Sequence, residues 1–110
     1  MTQTTSIPAL FYPVTQELAR FGADRPRPQF LVDSENLKVI VVGLEAGQQI
    51  PSHPEALAVY HFLGGEGVMI VNGEEFAVTA GSTVVTPPGA ARGMRATSRL
   101  TFLAAKTGEG

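Results

Sequence analysis

An all-β domain, built as an antiparallel β-barrel or two-sheet jelly roll behind an N-terminal arm, is predicted by three features of this 110-residue chain. From Gln29 onward, short runs of Val, Ile, Leu, Phe and Tyr recur about every eight to twelve residues between turn residues. Asn72-Gly73 stands between "VMIV" and "EEFAV", and this dipeptide favours the positive backbone angles of a two-residue hairpin turn. Finally, so many short strands in so short a chain need closure, because a barrel or jelly roll removes the exposed edges that an open sheet would leave.

The elements follow in order. Residues 1–29 are rich in Thr, Pro and Gln and read as an arm with its connector, leaving 30–110 as the barrel domain. Within the arm, "VTQELARFG" is compatible with a short helix and ends in the glycine common after helices. "ADRPRPQ" is a connector whose two prolines disfavour regular pairing. The strand candidates are "FLVD", "LKVIVVGLE", "ALAVYHFL", "GVMIVNG", "EEFAV", "STVVTP" and "RLTFLAA". Gly81 marks a further turn, and "TPPGAARG" carries too many prolines and glycines for a central strand, so a loop at the barrel mouth is expected there.

Composition narrows the function. The length suits one domain, since a second would leave neither half able to bury a core. With no cysteine, disulfides, thiolate clusters and cysteine nucleophiles are excluded, and a reducing compartment such as the cytoplasm is expected. A net charge of -2 with eight basic residues gives no footprint for nucleic acid or an anionic membrane surface. No apolar run approaches the roughly 20 residues needed to span a bilayer, and "MTQTTSIPAL" lacks the layout of a signal peptide. A soluble protein is expected.

The stretch "IPSHPEALAVYHFLGGEG" gathers two histidines and a glutamate, as metal-binding stretches do, yet their spacing completes no closed ligand set. With its glycine and proline frame, "GGEG" before the Asn-Gly hairpin and "GSTVVTPPG" after it, the region from about residue 38 to 105 resembles the cupins, a superfamily of small β-barrels. On the family's second motif fall Gly81, Pro87 and Gly89, while Arg92 stands at its metal-binding histidine and Ala96 at its asparagine. The first motif can be laid in two registers. Anchored on Gly65 it puts Pro51, His53 and Ala58 at the ligand positions; anchored on Gly47 it puts His53, Glu55 and then Val59 or Tyr60 there. The Gly65 register is preferred, because it aligns the strand and its closing glycines, which fix side-chain direction. With Arg92 counted, the Gly65 register loses three of the four ligand positions, and the Gly47 register supplies only His53 and Glu55, fewer than the three or four protein ligands usual for a tight transition-metal site.

If position 58 faces the interior, as the resemblance implies, alternation turns Tyr60 and Phe62 into the cavity and sends Val59, His61 and Leu63 outward. His61 then has a structural or interface role, on an apolar outer face that the arm or a second subunit would cover. His53 faces inward at the mouth, Met94 forms an apolar floor, and Glu55, a charged loop residue, is expected in solvent. Arg92 is the notable departure. A guanidinium in a barrel keeps its charge, so it holds an anionic ligand or swings out to a surface acid such as Glu55.

Two readings follow. The first is a small-molecule-binding protein without the family metal, taking a small acid among His53, Tyr60, Phe62, Arg92 and Met94. The second is an enzyme of isomerase, epimerase or oxygenase type. It is either metal-free, with His53 as base and Arg92 stabilising an oxyanion, or holds a divalent metal weakly through His53 with help from Glu55, His61 or water. The apolar outer face and the family habit imply a homodimer.

Overall fold

A computed structural model describes residues 8–108. A four-residue 3-10 turn, Thr15–Leu18, precedes β1 (Arg20–Phe21), β2 (Pro26–Asp33), β3 (Leu37–Leu44), β4 (Gln49–Pro54), β5 (Ala58–Gly64), β6 (Glu66–Val71), β7 (Glu74–Thr79), β8 (Thr83–Thr86), β9 (Ala91–Ala96) and β10 (Leu100–Thr107). They form two antiparallel sheets, ordered β1-β2-β3-β10-β5-β8 and β4-β9-β6-β7, which close face to face as the jelly-roll barrel expected from the strand pattern. Among the described residues no helix is long and apolar enough to cross a membrane.

The register shows how the core is layered. On the larger sheet the inner face carries the rows Val42–Phe102–Phe62, Ile40–Ala104–Tyr60–Val84 and, towards one end of the barrel, Lys38–Lys106–Ala58–Thr86. Facing them, the smaller sheet carries Ile50–Met94–Met69–Phe76 and His53–Arg92–Val71–Glu74. Tyr60, Phe62, Phe102, Met69 and Met94 are all buried, and the Phe102 ring contacts both Tyr60 and Phe62 at centroid distances of 5.6 and 5.7 Å. Strand alternation alone selects these residues, since every second side chain points into the barrel.

The Asn72-Gly73 hairpin forms as expected, with φ of 50° and 85° at the two positions, the pair of positive angles of a type I′ turn. Asn72 also does more than turn the chain. Its backbone N–H donates to Ala91 O at 2.8 Å and its side-chain oxygen accepts from Ala91 N at 2.9 Å, which ties the hairpin to the first residue of β9.

Several expectations are corrected. "VTQELARFG" gives only the 3-10 turn and then β1, because so short a piece cannot offset the cost of nucleating a helix. The strand that holds "FLVD", β2, begins at Pro26 rather than Phe30, so part of the expected connector pairs regularly with β3. Its prolines are tolerated because Pro26 opens the strand, and beyond the two residues of β1 the strand lies at the sheet edge. "TPPGAARG" is not all loop: strand β8 runs to Thr86 and β9 starts at Ala91. β4 was also not expected. It is an edge strand paired with β9 alone, where Pro51 and Pro54 remove little pairing and the register shifts between Ile50 and His53.

The arm covers one end of the larger sheet's outer face. A side chain at Gly43 would meet the Phe21 ring at 2.9 Å, and one at Gly64 would collide with the side chain of Gln16. Farther along that face Val59 and Val85, paired across β5 and β8, remain 40% and 59% exposed. Residues 1–7 of the expected arm lie outside the described residues.

Candidate functional site

Glu55 organises the site. It lies on the short connection from β4 to β5 and is fixed through its backbone, whose carbonyl accepts from Gly89 N at 2.8 Å while its N–H donates to Ala90 O at 3.3 Å. Three cationic or potentially cationic side chains from three strands converge on its carboxylate. His53 Nε2 from β4 lies 2.6 Å from Oε2, Arg92 from β9 lies 3.4 Å from the same oxygen, and Lys106 Nζ from β10 lies 3.4 Å from Oε1. The Glu55 side chain is 22% exposed, so the expectation of a solvated loop carboxylate is corrected. Burial alone would raise its pKa, but the charges of Lys106 and Arg92 and the hydrogen bonds from His53 and Lys106 outweigh it and hold the carboxyl below its ordinary value.

Register explains why Arg92 meets Glu55 inside the barrel. Arg92 pairs across the sheet with His53 on one side and Val71 on the other, and has the same parity as the buried Met94. Its side chain is 8% exposed and its guanidinium carbon stands 5.4 Å from the centroid of the Tyr60 ring. It therefore pairs with Glu55 without swinging out to solvent, combining two alternatives the sequence had set apart. Among the described residues, the buried side-chain atoms with no hydrogen-bond partner are Tyr60 Oη and Arg92 Nε. Burial pushes the Tyr60 phenol up, against the opposing pull of the Arg92 charge.

A cavity of about 710 Å³ opens at this end of the barrel, lined by Lys38, Glu55, Leu57, Pro88, Lys106 and Thr107 among others. The five residues expected around a ligand take other places. Tyr60, Phe62 and Met94 are packed into the core, Arg92 stands behind Glu55, and His53, 47% exposed, flanks Glu55 at the rim with its Nδ1 3.0 Å from Pro51 O. His61 lies on the outer face, its Nδ1 2.8 Å from Thr83 Oγ1 and away from the site. Lys106 was missed. Alternation from Phe102 and Ala104 would have placed it on the inner face.

The donors available to a metal are few. Among the described residues no three His, Cys, Asp or Glu side chains are grouped to hold a metal ion. Pro51, Ala58 and Arg92 occupy three ligand positions implied by the preferred register, and none of them offers a metal ligand.

With fold and site described, the class of protein follows: the chain belongs to the cupin domain family, whose model matches residues 40–105. A conserved protein of unknown function from Streptococcus pyogenes has the same fold, with 22% identity, a TM-score of 0.83, and 100% of this chain and 97% of that one covered. An RmlC-like cupin from Desulfovibrio desulfuricans is 23% identical with a TM-score of 0.73 over 97% of this chain and 96% of its own. A variant of salicylate 1,2-dioxygenase from Pseudoaminobacter salicylatoxidans is 18% identical, with a TM-score of 0.69 over 76% of this chain but only 27% of the dioxygenase. At these identities the likeness is one of fold. A search of curated proteins finds no match.

Proposed function

We propose that this cupin binds a small organic acid in its barrel without the family metal, taking the ligand carboxylate onto Arg92. The observation that supports this is the buried guanidinium whose Nε, like the hydroxyl of Tyr60 beside it, has no partner. Arginine does not lose its proton, and buried donors left unmade are costly, so two of them in one place suit an oxyanion that accepts from both. Glu55 illustrates the preference, since this region already holds one carboxylate with Arg92, Lys106 and His53. Arg92 and Lys106 together also carry more positive charge than Glu55 neutralises. A divalent cation would meet both of them at the same carboxylate, with His53 its other donor.

The test combines calorimetric titration of monocarboxylates with elemental mass spectrometry of freshly purified, untagged protein. Binding that weakens at least about tenfold in Arg92→Gln, in protein without stoichiometric metal, is the expected result. Unchanged binding in that variant, or one metal per chain that is lost in His53→Ala, overturns the proposal.

The 2.6 Å contact between His53 and Glu55 favours one second reading, a metal-free acid–base enzyme with His53 as base. The Pro51 carbonyl can only accept, so Nδ1 donates to it, and the hydrogen held in the Nε2–Oε2 contact must leave before Nε2 can accept a proton from a substrate. Turnover abolished by His53→Ala would establish it. For assembly we propose a homodimer through the exposed outer face around Val59 and Val85, and for location the cytoplasm, which suits the cysteine-free sequence.

A further inference from the structure

A second opening lies on the side of the barrel. Strands β7 and β8 each form one edge of their sheet, and the gap between them holds a groove of about 380 Å³. Val71, Phe76, Val84, Val85 and Pro87 give it an apolar lining, with Glu74 among its polar residues. Phe76 belongs to the inner face, opposite the buried Met69, yet it is 37% exposed, so the two sheet edges stand apart here.

The register links this groove to the unpartnered donors. Val71 is the cross-strand partner of Arg92, and Val84 is the cross-strand partner of Tyr60. In each pair both residues share the inner face, at a separation of about 4.5–5.5 Å between β-carbons. Arg92 thus occupies the middle of a row whose one end, His53, stands beside Glu55 and whose other end, Val71 and Glu74, lines the groove. The unpartnered donors and the apolar groove are thus one strand apart on each sheet.

From this juxtaposition we infer that the ligand is an apolar monocarboxylate. Its carboxylate accepts from Arg92 Nε and the Tyr60 hydroxyl, and a hydrocarbon tail of about six to eight carbons lies in the groove between β7 and β8. This rests on the carboxylate-binding reading and adds the class of acid. A short polar acid would leave Val71, Phe76 and Val84 in water, whereas each methylene buried there is worth about fourfold in affinity. Glu74 at the same groove disfavours a second acidic group at the tail end.

Calorimetric titration with butyrate, octanoate and octanol tests it. Octanoate is expected to bind at least about tenfold more tightly than butyrate, and Phe76→Ser is expected to reduce that ratio to about twofold. Val84→Thr, nearly isosteric and on the groove's inner lining, is expected to reduce the ratio in the same direction and serves if Phe76→Ser fails to fold. A ratio near one, or a ratio that neither variant changes, overturns the inference and leaves the carboxylate reading standing if butyrate still depends on Arg92. Octanol binding as tightly as octanoate, or no binding by any of the three, overturns both.

Discussion

The Arg92 guanidinium lies over the Tyr60 ring, 5.4 Å from its centroid, and neither Arg92 Nε nor the Tyr60 hydroxyl has a hydrogen-bond partner. Removing that hydroxyl removes an unsatisfied group and keeps the ring. Tyr60→Phe is therefore expected to leave the ligand-free protein as stable or up to about 1 kcal/mol more stable, read as the melting temperature in calorimetry. Binding of a monocarboxylate should weaken in the same variant. A clear loss of stability would mean that the hydroxyl has a partner after all.

Glu55 ties three strands together through charge, so neutralising it should be costly. Glu55→Gln leaves Arg92 buried without its anion and is expected to lose about 1–3 kcal/mol in urea denaturation. A double variant, Glu55→Gln with Arg92→Leu, should recover part of that loss, because no uncompensated charge then remains inside.

The same carboxylate sets a pH dependence. Its folded pKa is held below the ordinary value of 4.5, so the folded state binds fewer protons there than the unfolded chain. Its stabilisation is complete above about 4.5 and is lost as pH falls through the lowered folded value. Glu45, paired with Arg99 on the surface, shifts in the same direction. Melting temperature should accordingly fall below pH 4.5 in the wild type and fall less steeply in Glu55→Gln, while equal slopes would remove Glu55 from the account.

Two glycines with the same backbone angle should respond differently. Gly65 and Gly73 both have φ of 85°, but a side chain at Gly65 would run into the Arg99 carbonyl, whereas Gly73 has nothing within 4 Å. Gly73→Ala is expected to cost about 1 kcal/mol for the left-handed backbone alone, and Gly65→Ala more than about 2 kcal/mol. Comparable losses in denaturant titrations would contradict this distinction.

Assembly can be read from mass. Sedimentation at micromolar concentration should give twice the 11.6 kDa of the chain, and Val59→Glu with Val85→Glu should return it to the monomer mass without unfolding it. A monomeric wild type would leave the outer face unpartnered.

Much of the barrel was legible in the residues. Alternation in "ALAVYHFL" puts Tyr60 and Phe62 on one face and His61 on the other, with the resemblance turning the first face inward, and Asn72-Gly73 marks its hairpin, because both patterns rest on rules about neighbouring residues. β4 and β9 were less legible. Their prolines and glycines argue against strands, and only their place at a sheet edge and after a mouth loop makes pairing tolerable.

The sequence by itself determined the all-β class and the shared face of Arg92 and Met94. Tertiary structure decided what surrounds Arg92. Glu55 and Tyr60 come from one stretch, Arg92 and Lys106 from strands much later in the chain. Their meeting depends on strand register and on the two backbone hydrogen bonds that hold the Glu55 segment against the loop before β9. Charge compensation in a barrel is a matter of distance and burial, and neither is a property of residues adjacent in sequence.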